Sequence, residues 1–416
     1  MEYKKYHLNN YDLYVIPLHK FKTTNVVFEF VKPYEKADDS CLQFLGMLSD
    51  HGTLKYPKTS DYEKELIKLY GLDITKENFR VNDNYFYRFG LNIINKEYSS
   101  QDNFKNSILF AQDAILNPIV LDTKLSKLYF NETKNTILIG HRNWLSNIQH
   151  QVRYRSLKYF MKDNYKTHIT TINEYKAVTP EKVCSYYKRL LSQSFLNVFV
   201  CGDIDCENVY ETFKNIKFPC TKGYEINLYN IVKNRDKERH LVTTNKGTDS
   251  YVNLFYTFDE LTNYEEQVVA PVLESILSSL SGRFFQIIRE KYSLCYAIGF
   301  DFGDLTHTGN ISSTTSRDNV KQLEKIVKQI IDDIKNGKIE QKEIDEKVKI
   351  ICDHIEDDKQ YKNSSISYVR DKLYYNYYMP DEMITALKKV TVADVVKLVN
   401  KMHFDSDYIS KGSKNE

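Results

Sequence analysis

The sequence predicts an α+β protein built from two related halves, and three observations predict it. The first is an internal repeat: VTPEKVCSYYKRLL starts at Val178 and VTVADVVKLVNKMH starts at Val390, 212 residues later in a chain of 416. The second is a pair of runs rich in β-branched and aromatic residues, 25–30 (NVVFEF) and 252–258 (VNLFYTF). Both read as strands at matching places in the two halves. The third is a shared continuation: each run leads through a short acidic turn into an apolar stretch at helical spacing, 39–48 in the first half and 264–288 in the second.

The remaining elements keep the same order. A strand-like stretch leads to a second helix, 101–116 in one half and 318–335 in the other. In the repeat, Thr179 and Thr391 read as helix N-caps, and Pro180 sits at a first helical position, where its missing N–H costs nothing. The first half closes with a strand at 196–200 followed by Cys201-Gly202-Asp203. Residues 218–238 (FPCTKGYEINLYNIVKNRDKE) combine proline, glycine and a charged tail and read as a linker. The expected division is therefore 1–217, a linker at 218–238, and 239–416, with a polar C-terminal tail (SKGSKNE) that frays.

Charge excludes two classes of partner. With 58 Lys plus Arg against 56 Asp plus Glu, the net charge of +2 gives no field to draw in nucleic acid or an anionic membrane. Charges alternate in sign, as over 335–349, which is the pattern of solvated helix faces. No apolar run approaches the roughly 18 residues of a membrane helix, and the N-terminus lacks an apolar signal region. The chain is expected to be cytoplasmic. Its seven scattered cysteines fit reduced thiols, and Cys201 and Cys206 have no second pair at zinc-ribbon spacing.

Residues 41–57, CLQFLGMLSDHGTLKYP, resemble the metal-site region of the pitrilysin-like (HxxEH, peptidase family M16) zinc peptidases, typically HFLEHMLFKGT with a later proline. Phe44, Leu45, Gly52, Thr53 and Pro57 anchor the match, and EKELIKLYGL at 63–72 resembles the helix and glycine after that motif. On this resemblance the two zinc histidines fall on Gln43 and Met47 and the catalytic glutamate on Gly46. The chemistry needs two imidazoles one helical turn apart and a carboxylate to take a proton from bound water. Gln43, Gly46 and Met47 supply none of these. The segment 130–141, FNETKNTILIGH, resembles the helix that brings the third ligand, and there the two acidic positions fall on Thr133 and Gly140. The resemblance implies a degenerate zinc site at Gln43, Gly46, Met47 and Gly140, with no metal in this chain. Asp50, His51 and His141 do not have the spacing of a replacement site, and His51 reads as a solvated turn residue.

The second half carries SGRFFQIIREKYSLCYAIGFDF at 281–302, which resembles the family's RLFQEIREKxGLAYSV signature. Arg289, Glu290, Lys291, Leu294 and Tyr296 fall into place. Taken singly, an Arg-Glu-Lys run near a helix C-terminus suits the helix dipole, and a tyrosine opening a strand is ordinary packing. The resemblance gives Arg289 and Tyr296 a further role, binding the substrate backbone and stabilising the oxyanion.

The resemblance thus implies two homologous halves, each a mainly antiparallel sheet packed with helices. It also implies a chain that is inactive alone. Some family members are heterodimers in which one chain brings HxxEH and the other brings the Arg/Tyr pair. A bacterial peptide-processing metalloendopeptidase of that kind would take zinc from an HxxEH-containing partner subunit and Arg289 and Tyr296 from this chain. Exposed edge strands would pair with an extended peptide substrate. The other expectation is a catalytically inert scaffold or a subunit that binds a leader peptide.

Overall fold

The computed structural model describes residues 1–162, 164–221, 223 and 225–413. Lys414, Asn415 and Glu416 of the tail and Lys222 and Tyr224 of the expected linker lie outside the described residues. The chain packs as two compact units, each drawn from three stretches. Unit 1 comprises Met1–Asn143, Ile169–Leu228 and Lys359–Tyr374, and unit 2 comprises Trp144–His168, Tyr229–Asp358 and Tyr375–Glu416.

Unit 1 is built on a six-stranded sheet of β1 (Lys4–Leu8), β2 (Tyr11–Pro17), β3 (Thr23–Pro33), β4 (Asp73–Val81), β5 (Asn84–Ile94) and β6 (Phe195–Gly202). Their order across the sheet is β1-β2-β6-β3-β5-β4. Unit 2 carries β7 (Arg239–Thr244), β8 (Ser250–Phe258), β9 (Cys295–Gly303), β10 (Thr308–Thr315) and β11 (Met402–Lys411), ordered β7-β11-β8-β10-β9. Removing β1 makes the two orders identical. Among the described residues the parallel pair of each sheet is the equivalent one, β2 with β6 and β7 with β11, and the other pairs are antiparallel. The duplication read from the sequence is therefore a duplication of topology, and the expected α+β class with mainly antiparallel sheets holds.

Helices cover one face of each sheet. In unit 1 these include α1 (Asp39–Ser49), α2 (Thr59–Lys68), α3 (Asn103–Leu116) and the long α4 (Thr123–Ser146). Side chains alternate along a strand, so Val26, Phe28 and Phe30 of β3 face the same core as Phe44 and Leu48 of α1 and Ile108 and Ile115 of α3. The other face of this sheet presents Asn197 and Phe86. The next helix is α5 (Ile148–Phe160), and after it come α6 (Ile172–Lys176), α7 (Pro180–Gln193), α8 (Cys206–Phe213), α9 (Ala270–Ser278), α10 (Val320–Lys335), α11 (Gln341–Asp358), α12 (Lys362–Tyr375), α13 (Pro380–Leu387) and α14 (Val392–Asn400). In unit 1 the second sheet face is met by α12. The Tyr374 hydroxyl accepts from Asn197 Nδ2 at 2.9 Å, and its ring meets Phe86 edge-on at 5.8 Å. In unit 2 the equivalent face is met by α5, whose Phe160 stacks on Phe255 of β8 at 4.4 Å. Each sheet is thus completed by a helix from the opposite half of the sequence.

The caps behave as expected. Thr179 Oγ1 accepts from Lys182 N and Thr391 Oγ1 from Asp394 N, both at 3.3 Å, opening α7 and α14. One element differs. The helix expected over 264–288 is a π-helical turn at Glu265–Val269, then α9, then a turn, then a second π-helical segment at Phe284–Lys291. No helix among the described residues is long and apolar enough to cross a membrane. All seven cysteines are free thiols.

Candidate functional site

In unit 1 the candidate positions gather on α1 and α4. Cys41, Phe44, Leu45 and Leu48 recur at helical spacing and are buried, which turns Gln43 and Met47 outward, one turn apart, with Gly46 beside them. Phe44 stacks on Phe130 of α4 at 5.2 Å and so fixes the two helices against each other. On α4, Thr133 is buried and Gly140 is exposed. A Cβ added at Gly140 would meet nothing within 4 Å, and one added at Gly46 would meet only Asn78 Nδ2 of β4, at 3.5 Å. The two glycine positions are open in space, and none of the four carries an imidazole or a carboxylate.

The turn after α1 explains the Gly-Thr pair. Gly52 has φ +144, and a Cβ there would lie 2.2 Å from the Tyr56 carbonyl oxygen. Thr53 N donates to Tyr56 O, and Thr53 Oγ1 accepts from Tyr56 N, both at 3.1 Å. His51 is half-buried rather than solvated, because its ring stacks on Tyr129 of α4 at 4.0 Å with an 8° tilt. His141 meets Tyr175 edge-on at 5.2 Å, and burial pushes its imidazole below the ordinary range. Asp50 accepts from Lys76 Nζ of β4 at 2.7 Å, and Lys76 also donates to Ser49 O at 2.8 Å. Burial lowers the Lys76 ammonium, while Asp50 opposes that shift. Among the described residues no group of three or more His, Cys, Asp or Glu side chains is placed to hold a metal ion.

Sequence reasoning missed Lys76 and Asn78. Asn78 Oδ1 is buried with no hydrogen-bond partner among the described residues. Neither residue belongs to a motif, and only the strand pairing of β4 brings them beside α1. A groove of about 520 Å³ in the same unit, lined by Asn9, Asp12, Asn197, Glu225 and Tyr374 among others, contains none of the candidate residues.

In unit 2, Arg289 and Tyr296 come from adjacent elements. Arg289 lies near the end of the π-helical segment Phe284–Lys291, and Tyr296 is the second residue of β9, the edge strand of its sheet. Two residues past the segment, Ser293 takes a left-handed φ of +50, and Leu294 N donates back to Ile288 O at 3.0 Å. Leu294 O accepts from Asn319 Nδ2 at 3.3 Å and from Thr315 Oγ1. These bonds pin the corner from which β9 starts. The Arg289 guanidinium lies 4.7 Å from the Phe285 ring centroid and 3.8 Å from Glu290 Oε1. Tyr296 is 78% exposed. Cys295, between them, is buried, and burial pushes its thiol up despite the nearby guanidinium. The pair is therefore an exposed guanidinium and an exposed phenol on a pinned corner, able to donate hydrogen bonds to a carbonyl or an oxyanion.

Comparison with known proteins bears on the family resemblance and the fold. Residues 177–351 match the profile of the Peptidase M16 inactive domain. The chain is 19% identical over 413 residues to the "Probable inactive metalloprotease YmfF" of Bacillus subtilis (strain 168), covering 96% of each. A conserved protein from Enterococcus faecalis V583 superposes with a TM-score of 0.88 at 16% identity, covering 100% of both chains. A peptidase M16 inactive domain from Pseudomonas fluorescens does so with a TM-score of 0.78 at 12% identity, again covering 100% of both. The chain is thus similar to the Peptidase M16 inactive domain over residues 177–351 and M16-like in fold over its whole length.

Proposed function

We propose that this chain is the non-metal subunit of a two-chain pitrilysin-type peptidase. A separate chain with an intact HxxEH motif supplies the zinc-activated water and the glutamate base. This chain supplies Arg289 and Tyr296, which donate to the substrate carbonyl as it becomes an oxyanion. An extended peptide pairs with the free edge of β9, so that its backbone runs past Tyr296. The observation that carries the reading is the state of the pair. Tyr296 is 78% exposed, and Arg289 is exposed, with the Phe285 ring, the Glu290 carboxylate and the Cys295 thiol near it. Among the described residues neither side chain makes a contact that ties elements together, whereas Gln43, Gly46, Met47 and Gly140 carry no imidazole or carboxylate to ligate zinc. Such a complex works at a peptide bond only when both chains are present.

Reconstitution tests this. Each chain alone is expected to be inactive on a peptide library, and the mixture to be active, with zinc recovered only in the HxxEH chain. Stoichiometric zinc in this chain, or full activity of the HxxEH chain alone, contradicts the reading. The second reading is an inert scaffold or leader-binding subunit, which the name of the Bacillus relative favours. It is selected if the mixture assembles and binds peptide without hydrolysing it.

A further inference from the structure

The π-helical segment that carries Arg289 is held at its start by one face of α11. Glu343 and Lys347 lie four residues apart on that helix and therefore point the same way. Glu343 grips Arg283 in a two-pronged pair, with Nε to Oε1 at 2.9 Å and a terminal nitrogen to Oε2 at 2.7 Å, and Arg283 also donates to Lys338 O at 2.9 Å. Lys347 is 1% exposed, yet its acceptors are not carboxylates. It donates to Ser279 Oγ at 3.1 Å, Ser281 O at 3.0 Å and Ser281 Oγ at 2.5 Å. Burial pushes its ammonium below the usual lysine range. A buried lysine whose donors all go to a serine turn is an expensive arrangement that a loose surface turn does not require.

The turn it holds is tight. A Cβ at Gly282 would lie 2.8 Å from Ser279 O and 2.9 Å from Leu277 O, so the chain runs hard against the end of α9 before entering the π-helical segment. At the far end, Tyr292 N donates to Ile287 O at 3.1 Å, the five-residue step of a π-helix. π-helical runs of eight residues are rare, and this one is tied down at both ends. Releasing the first end lets it relax to α-helical steps, and a slip of one residue turns each side chain by about 100°.

We propose that Lys347, together with Glu343, is a positioning residue that sets the register of Phe284–Lys291 and so aims the Arg289 guanidinium. This rests on the substrate-binding reading of Arg289, but its first test does not. Hydrogen exchange on the full-length chain is compared for wild type, Lys347→Met, Lys347→Arg and Arg289→Ala. In Lys347→Met the amides of 284–294 are expected to exchange at least tenfold faster, while those of β8 and α10 stay at wild-type rates. Lys347→Arg, which keeps charge and donors, restores most of the protection, and Arg289→Ala leaves it unchanged. Unaltered exchange at 284–294 in Lys347→Met, or a uniform rise through unit 2, overturns the proposal, the latter marking a lysine that merely stabilises the fold. Should Lys347→Met fail to fold, Glu343→Gln loosens the same turn through Arg283 and is judged on the same amides. In the two-chain peptidase Lys347→Met is expected to lower turnover at least tenfold. Normal turnover there, beside lost turnover in Arg289→Ala, overturns the positioning role and leaves the Arg289 reading standing. Normal turnover in Arg289→Ala removes that reading, and the exchange rates still decide whether Lys347 sets the register.

Discussion

Gln43, Gly46, Met47 and Gly140 sit where side chains could be added without collision, since the spaces at Gly46 and Gly140 are clear to 3.5 Å and beyond. If side-chain identity is all that separates this surface from a zinc site, the difference can be reversed by design. Gln43→His, Gly46→Glu and Met47→His together place two imidazoles one turn apart but supply no third protein ligand. Zinc measured by equilibrium dialysis is expected to bind weakly to this triple variant and at least tenfold more tightly once Gly140→Glu is added. No gain from Gly140→Glu would mean that α4 does not face the same point as α1. Gln43, Gly46 and Met47 were singled out in the sequence by the flanking Phe44, Gly52, Thr53 and Pro57, and Gly140 by the separate segment 130–141, while Gly52 itself is required by its turn. His51 was misread as solvated because nothing in the sequence announces that Tyr129, 78 positions on, supplies a ring to stack against. Lys76 and Asn78 were invisible for the same reason.

The π-helical turn Glu265–Val269 buries three successive polar residues, Glu265, Glu266 and Gln267. Glu265 is opposed by burial, but hydrogen bonds from Lys401, the Thr262 backbone and Lys397 hold its carboxyl down to about 2, against an ordinary value of 4.5. A depressed folded-state value means that the stabilisation is fully present above about pH 4.5 and is lost as pH falls toward 2. It is worth on the order of 3 kcal/mol. Glu265→Gln should therefore be less stable at pH 7 and lose less stability between pH 5 and 2, as read by urea unfolding at each pH. An unchanged acid slope would contradict the assignment. Beside it, Glu266 accepts from Tyr229 at 3.0 Å and pairs with His307 at 3.2 Å. In unit 1 the comparable element is the start of α1, where buried Lys32 donates to buried Asp38 at 2.8 Å and Arg189 of α7 completes the group. Asp38→Ala leaves buried Lys32 with only the Glu35 carboxylate, at 3.3 Å, removes the buried partner of Arg189, and is expected to cost about 3–5 kcal/mol in chemical denaturation. Periodicity located α1 well, because its buried stripe recurs at 3 and 4 residues, but read α9 only as part of one helix over 264–288. It joined α9 to the segment carrying Arg289 because the break between them is imposed from α11, more than fifty residues away.

The two halves were legible at the scale of the whole chain because duplicated strand orders leave duplicated sequence patterns. The exchange of α5 and α12 was not legible, since an amphipathic pattern reports that a helix has a buried face and not which sheet it buries. That exchange has a consequence for fragments. A chain ending at Leu228 keeps every strand of the first sheet but lacks α12, which leaves Phe86 and Asn197 uncovered. Such a fragment is expected to aggregate alone and to be rescued by residues 229–416 supplied in trans, as followed by light scattering. A soluble, cooperatively folding fragment would show that α12 is dispensable to unit 1.

On the proposed reading, this chain contributes the substrate-side donors of a two-chain peptidase and its partner contributes the zinc. The most direct measurement is the turnover of the assembled two-chain complex carrying Arg289→Ala, with assembly checked by sedimentation. Loss of one oxyanion donor is worth roughly 2.7–4 kcal/mol, so the account predicts a fall in turnover of about a hundredfold to a thousandfold with the complex intact. Turnover equal to wild type in an intact complex would contradict it.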